Sequence, residues 1–482
     1  MSTTMMETSM GLGNGKEIAG DRIGRCLREG SDSLDLSGLD LDEVPASLGA
    51  LTHLTALDLS HNRLAALPES LGNLLGLTIL NLSDNRLVAL PESIGGLTAL
   101  TRLDLSRNQL TSLPESLGNL TALTWLDLNL QVDSQLTGLK TLPESLGNLV
   151  ALTRLDLSYC FMAVLPESLG NLTSLTHLDL HHNRFAALPE SLGNLTSLTR
   201  LDLSGNDSLR VLPESLGKLT TLTELDLSGI QLTSLPESLG NLTTVTRLNL
   251  RGNELTTLPA SFGNLSALTW LNLSYNRLTA LPESLSSLTA LTELHLMSNR
   301  FTVLPEGLLN LPALALLDLS GNRLTTLPES LGDLPALKIL DLSHNRLINL
   351  SRPLSGCANL EWLNLSNNRL TDLPESLGTL SSLTLLHLSD NRFTVFPEGL
   401  LSLPALVRLD LSDNKLTTLP TSWGNLTNLT MLDLRRNRLT ALPESLASLP
   451  ELDLLDVRGN RLTSLPRWRK PVEVLTDLRS SS

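Results

Sequence analysis

Aromatic residues are scarce in this chain of 482 residues, at 3%, and there are only three cysteines. Cys26, Cys160 and Cys357 lie far apart, without a Cys-x-x-Cys or paired cysteines at either end. That spacing argues against a disulfide framework or a cysteine zinc site and fits a reducing, cytoplasmic compartment. Positive charge is also in deficit, with Lys+Arg 35 against Asp+Glu 50 and a formal net charge of −15. Nucleic-acid affinity rests on Lys and Arg meeting phosphate, so no nucleic-acid partner is expected. An anionic membrane surface is disfavoured for the same reason. No stretch reaches the ~18–20 continuous apolar residues of a membrane span. Residues 1–15 are rich in Ser, Thr, Met and Gly and lack the apolar segment of a secretory signal. They read as a disordered leader, and a bacterial-effector leader is the alternative.

Motifs of catalysis are missing too. Gly11–Glu17 (GLGNGKE) has the look of a phosphate loop, but Met10 stands at its first glycine and Glu17 at its Ser/Thr. No strand is expected before it, so nucleotide binding fails. No nucleophile elbow, His-Glu-x-x-His or kinase signature occurs. The expectation is a protein that is not an enzyme and carries no cofactor.

What the chain has in abundance is one short unit. LTALDLSHNRLAALPESLGN, from Leu54, returns as LTILNLSDNRLVALPESIGG from Leu77 and LTRLDLSRNQLTSLPESLGN from Leu100. Nineteen units fit between Leu34 and Pro466, and 18 of the 24 prolines occupy one column. The step is 23 residues almost throughout. Pro114 to Pro143 is 29, from an insertion within 129–141, and Pro189 to Pro213 is 24, with one extra residue near Asp207. Ser351 replaces the column proline in another unit.

Leu57 and Leu59 alternate with Ala56, Asp58 and Ser60, the period of a short strand. Asn62 turns the chain. Pro68 suits the first position of a helical turn, Glu69 its dipole, and Gly72 a positive-φ stop. A lone unit cannot cover its apolar face, but a stack can. Strands ~4.8 Å apart against helical turns about 10 Å wide would curve the stack, strands on the concave side.

The pattern LxxLxLxxNxLxxLP, as in LTALDLSHNRLAALP, resembles the leucine-rich repeat. The LPESLGNL form is similar to intracellular arrays, including plant Ras-group-related and bacterial repeat proteins. The opening RIGRCLREGSDSLDLSGLDLDEVP resembles bacterial arrays that precede a GTPase module. The extracellular plant form has a 24-residue unit, a Gly-x-Ile-Pro segment and cysteine caps, none of which is here. The resemblance implies an α/β fold: a curved leucine-rich-repeat solenoid with a parallel sheet on the concave face and short helical turns on the convex side. It also implies a protein partner, with a small GTPase or another signalling protein as the class suggested. Residues 16–30 read as a cap helix, with Ala19, Ile23 and Cys26 inward, 31–466 as the solenoid, and 467–482 as a C-terminal cap and tail using Trp468, Val474, Leu475 and Leu478. A monomer is expected.

Three features of the repeat bear on function. The asparagine column (Asn62, Asn85, Asn108, then Asn183 through Asn460) reads as structural, with Cys160 substituting through its thiol and breaks at Leu39 and Ile230. The strand-centre column holds Asp in 13 units, including Asp104, Asp127, Asp156, Asp179, Asp202 and Asp226 in succession. Stacked like charges repel, and Arg102, Arg154, Arg200, Arg247 and Arg408, one column earlier, are expected to answer them in part. Trp125, Trp270 and Trp362 share that earlier column, and Tyr159 and Tyr275 precede the asparagine position. Exposed Trp, Tyr and Arg are enriched at binding hot spots. The irregular units cluster around Trp125, Arg154, Tyr159, His177, His181 and Arg200, which are taken as the main contact patch. His177, Asp179 and His181, at i, i+2 and i+4 on a strand, share a face and are the candidate ligands should this cluster bind a metal or small ligand. No metal is otherwise expected. The readings left open are a non-enzymatic interaction scaffold, a bacterial effector or immune-type recogniser acting on a host protein, and a metal or small-ligand binder at 177–182.

Overall fold

The computed structural model describes residues 14–131, 138–304, 308, 310–350, 354, 356–423 and 425–478. The leader up to residue 13, the insertion from 132 to 137, most of the Ser351 turn and the tail from 479 lie outside the described residues. The chain divides into two units, Met1–Val245 and Thr246–Ser482.

In the first unit, a helix over Asn14–Glu29 precedes nine three-residue strands, from Ser33–Asp35 to Glu224–Asp226. Ala19, Ile23 and Cys26 are buried on the helix, and Gly30 ends it at φ 64°. Each strand runs parallel to the next with leucine opposite leucine, as in Leu103↔Leu126 and Leu126↔Leu155. The second unit repeats this with eleven described strands, from Arg247–Asn249 to Glu473–Leu475. The last of these pairs with Leu454–Asp456 and was not foreseen in the sequence. Trp468, Val474, Leu475 and Leu478 beside it are half-buried. Both units are solenoids of the expected repeat, with a parallel sheet on one side and short turns on the other. The strand leucine and the leucine two residues on are buried in coil after coil. Burial of such a side chain stabilises by ~1.5–3 kcal/mol.

The turns differ from expectation in three ways. Most of those described are a single 3-10 coil, such as Glu69–Asn73. Pro68 precedes it in an extended conformation (φ −74°, ψ 148°) instead of starting it. The proline carbonyl accepts the Leu71 amide at 3.0 Å, so its missing N–H still costs nothing. Gly72 does not take positive φ. It is small because a Cβ there would lie 2.3 Å from the Ser93 carbonyl oxygen of the next coil. Gly95 faces Ser116 and Gly170 faces Ser191 in the same way, at 2.5 and 2.4 Å. Neighbouring turns therefore meet backbone to backbone, without the side-chain padding of a helix about 10 Å across. The PES glutamate also reaches forward: Glu69 accepts the Ser93 amide of the next coil at 3.3 Å, and Glu167 accepts that of Ser191.

Asparagines tie coil to coil. Asn62 Oδ1 accepts the Leu41 amide of the preceding coil at 2.9 Å, and Nδ2 donates to Leu36 O and Leu59 O, both at 2.9 Å. Cys160 replaces this asparagine by donating its thiol to Leu128 O at 3.1 Å. The irregular coil before it has Gln131 in the column: Nε2 donates to Leu105 O at 2.7 Å and Oε1 accepts from Leu110 at 3.0 Å. At Ile230 the column is apolar, as expected. The amide left over, Leu209 N–H, turns to Asn206 O at 2.9 Å. The extra residue at Asp207 gives the chain the slack to do so.

Candidate functional site

Strand register sets Trp125, Arg154, His177, Arg200 and Glu224 side by side on successive strands of the first unit. Their flanking leucines point inward, so these side chains stand on the open face of the sheet. Arg154, His177 and Arg200 are exposed and Trp125 is half-buried. The Arg102 guanidinium lies 3.9 Å from the Trp125 ring centre, a cation–π contact that holds the indole in place. Arg200 pairs with Glu224 at 3.3 Å. Arg154, His177, Asp179, Arg200 and Asp202 line a hollow of about 220 Å³. Partial desolvation, with Arg154 and Arg200 on either side, holds the His177 imidazole below its ordinary pKa.

One column further, Asp104, Asp127, Asp156, Asp179, Asp202 and Asp226 stand in register. The expectation that arginines of the preceding column partly answer them holds for Arg154, whose charge pulls the Asp127 pKa down, and not for Arg102 or Arg200. Arg102 goes to Trp125 and Arg200 to Glu224. The carboxylates are satisfied within their own coil: Asp156 Oδ1 accepts the Ser158 amide at 3.0 Å and its hydroxyl at 2.6 Å, and Asp202 does the same with Ser204. Asp127 lacks this arrangement because Asn129 replaces the serine. It accepts only the Asn129 amide, at 2.9 Å, while the Asn129 side chain donates to Ser158 Oγ. Burial first, then Asp156 and Asp104, push the Asp127 pKa up to about 7.

The histidine cluster differs from the expected one. His181 fills the serine position and gives Nδ1 to Asp179 Oδ1 at 2.5 Å. That bond raises its pKa. Asp179, His181 and Asp202 each bring one ligand-type atom within 4.8 Å of the others. His177 is outside this group. Its Nδ1 lies 2.9 Å from the Thr176 hydroxyl. Tyr159 stacks on His182 at 4.5 Å and meets His181 edge-on at 4.8 Å. Its φ of 55° belongs to the whole column before the asparagine, His61 and Arg107 included, so the tyrosine is not singled out by strain.

In the second unit, Trp270 and Trp362 are half-buried on the sheet face and Tyr275 is exposed. Arg247 covers Trp270 at 4.5 Å and Arg251 covers Tyr275 at 4.4 Å. Each tryptophan has a histidine of the next strand beside it: His295 at 5.6 Å for Trp270 and His387 at 5.9 Å for Trp362. The sequence reading missed Arg102, Asp127 and Asp202 as site residues. For Asp127 the signal was there, in the one asparagine among the neighbouring serines.

A family model described as leucine-rich repeat matches residues 220–278, 243–301, 289–347, 352–393 and 404–462, and a leucine-rich-repeat-region model matches 33–142 and 128–229. A solved leucine-rich-repeat protein of Leptospira interrogans is 34% identical, with 81% of this chain and 93% of that one covered and a TM-score of 0.65. The chain belongs to the leucine-rich-repeat family. This leucine-rich-repeat chain is also similar to YopM from Yersinia enterocolitica, at 28% identity, 98% and 97% coverage and TM-score 0.60. The Arabidopsis receptor kinase HAESA, solved in complex with the peptide hormone IDA and the co-receptor SERK1, is similar at 33% identity, 90% and 71% coverage and TM-score 0.63. A search of curated proteins returns no match. Leucine-rich-repeat proteins are in general interaction scaffolds without catalytic activity. Among the described residues, no helix is long and apolar enough to cross a membrane.

Proposed function

We propose that this chain is a non-enzymatic scaffold that holds a protein partner on the open face of its sheet. The observation that carries this reading is the row Trp125, Arg154, His177 and Arg200, fixed in register on adjacent strands with polar and aromatic groups facing outward. The sheet that carries this row is formed before binding, so little backbone entropy is lost when a partner docks. The contact patch in the first unit is centred on Trp125, Arg154, Tyr159, His177, His181 and Arg200. Trp270, Tyr275 and Trp362 are separate anchors in the second unit. Alternating Arg and acidic columns favour a partner with complementary charge and speed encounter.

Intracellular arrays of the LPESLGNL type make a signalling protein, small GTPases included, the first partner class to test, with the chain acting as a cytoplasmic monomer. A second reading is a bacterial effector or immune-type recogniser acting on a host protein, and the similarity to the Leptospira and Yersinia proteins supports its bacterial part. The HAESA complex, which holds a peptide, supports polypeptide as the ligand chemistry in either case.

The test is affinity capture from lysate with the full chain and with Trp125→Ala plus Arg154→Ala. Hot-spot losses of ~2 kcal/mol or more predict that the double variant, still folded by circular dichroism, retains only a few per cent of the specific partner. Undiminished capture refutes this placement of the patch.

A further inference from the structure

His181 is a departure from the repeat with a chemical consequence. In the coils on either side the same position is Ser158 or Ser204, and its hydroxyl serves the aspartate two residues earlier. The imidazole keeps that bond, to Asp179, but adds a nitrogen donor to a column of carboxylates. Across the strand gap stands Asp202. One ligand-type atom from each of Asp179, His181 and Asp202 lies within 4.8 Å of the other two. Ligands of a zinc ion, with bonds of ~2.0–2.2 Å, are separated by roughly 3.4 Å, so closure onto a cation needs movements on the order of 1 Å.

Three further features point the same way. Among the described residues, no lysine or arginine forms an ion pair with Asp156, Asp179 or Asp202, so no protein cation is bonded to these carboxylates, although Arg154 and Arg200 line the same hollow and Arg200 turns to Glu224. The site is open: the Asp179 and His181 side chains keep 33% and 24% of their surface, enough for an ion and a water to enter. A mixed nitrogen and oxygen donor set selects mid-row transition ions over calcium and magnesium, which take oxygen alone.

We propose that Asp179, His181 and Asp202 form a three-ligand site for a divalent transition cation of the zinc class. The fourth position is left to water or to a group from outside the chain. This site does not depend on the protein-binding reading, and it does not include His177.

The probe is zinc itself, titrated into the full chain by calorimetry near pH 7.5, with calcium and magnesium as competitors. The expected result is one zinc per chain, undisturbed by either competitor. His181→Ser restores the residue of the neighbouring coils and so preserves the turn while removing the nitrogen. Asp202→Asn introduces a residue that the same column already holds at Asn81 and Asn249. Each should weaken zinc at least about tenfold, the lower end of what even an outer partner of a metal ligand costs. His177→Ser should leave affinity unchanged. The proposal is overturned by wild type giving no heat above buffer, by either ligand variant binding as wild type does, or by loss of binding in His177→Ser. No partner is present in the titration, so its failure leaves the docking patch standing, and failed capture leaves the cation site standing.

Discussion

Asp127 is the most informative residue to change. Its neighbours Asp104, Asp156 and Asp202 each accept a serine amide and a serine hydroxyl on one oxygen. Asp127 accepts one amide only. Burial, with Asp156 and Asp104 on either side, moves its pKa from 3.8 to about 7. Between those two values the folded protein binds a proton that the unfolded chain does not. Stability therefore falls as pH rises from about 4 to about 7, and the loss is complete above that. At ~1.36 kcal/mol per pH unit the upper limit of the loss is about 4 kcal/mol. Asp127→Asn removes the charge without altering the shape. Asn81 shows how the amide fits: its Nδ2 donates to Asp58 Oδ2 of the preceding strand at 3.1 Å. Urea unfolding of both proteins from pH 4 to 8 is the assay. The curves should coincide near pH 4 and separate as pH rises, with the variant more stable at pH 8. Parallel curves across that range refute the reasoning, as does a carboxyl titration by nuclear magnetic resonance with its midpoint near 4.

Other outcomes follow from the same geometry. Asn276→Ala strips the Leu255 amide of its acceptor, while Leu250 O and Leu273 O keep Asn253 and Asn299 as donors; at ~1–3 kcal/mol per orphaned buried group, denaturant unfolding should show a loss of that size. Gly170→Ala drives a Cβ to 2.4 Å from Ser191 O, and the strain should cost ~1–3 kcal/mol. Gly20→Ala meets nothing within 4 Å on an exposed helix position and should gain ~0.5–1 kcal/mol, which makes it the control. His181, raised by its bond to Asp179, contributes stability that is fully present below its unfolded pKa near 6.5 and is lost as pH rises through the folded value. His181→Ser should abolish that component of the decline when unfolding is compared at pH 5.5 and 8.5.

The coil itself was almost wholly legible in the sequence. Leucine spacing announced a strand and two inward corners, and the asparagine column announced its own buried bonds. Positions whose reason lies in the next coil were read less well. Gly72 looked like a turn stop because glycine often is one, but its cause is the Ser93 carbonyl a whole coil away. The Thr55, Thr78 and Thr101 column drew no comment, although Thr78 and Thr101 each donate a hydroxyl to the previous threonine carbonyl, at 2.9 and 3.0 Å. Gln131 was hidden because the insertion beside it broke the ruler. The exposed row was legible as a set of residues, since register follows from the period. Where each side chain turns was not, and so Arg102 on Trp125 and His177 on Thr176 emerged only with the coordinates.

These errors share a cause that also says where specificity resides. Leucines, asparagines, glycines and threonines of the repeat are bound to their neighbours above and below, so change there costs stability before it can alter recognition. The position two residues after the strand-centre column is different. It is serine in most coils, and where its hydroxyl donates it does so to the acid of its own coil, as Ser158 and Ser204 do. Each departure changes one local property. Asn129 leaves Asp127 with a displaced proton affinity. His181 brings a nitrogen to Asp179 and Asp202. Arg251 moves over Tyr275. Arg435 and Arg458 bind Asp433 and Asp456 at 2.7 and 2.5 Å and cover those carboxylates almost fully. A solenoid with identical coils would present a periodic surface able to bind a ligand in many registers. Substitution at a position that mainly serves the acid of its own coil gives single coils an identity without loosening the stack. If recognition is encoded there, exchanging His181 and Arg251 for serine should abolish partner selectivity while unfolding curves at pH 7 move by about 1 kcal/mol or less, the scale of surface changes and exposed pairs. A larger loss of stability would mean that these residues, too, belong to the framework.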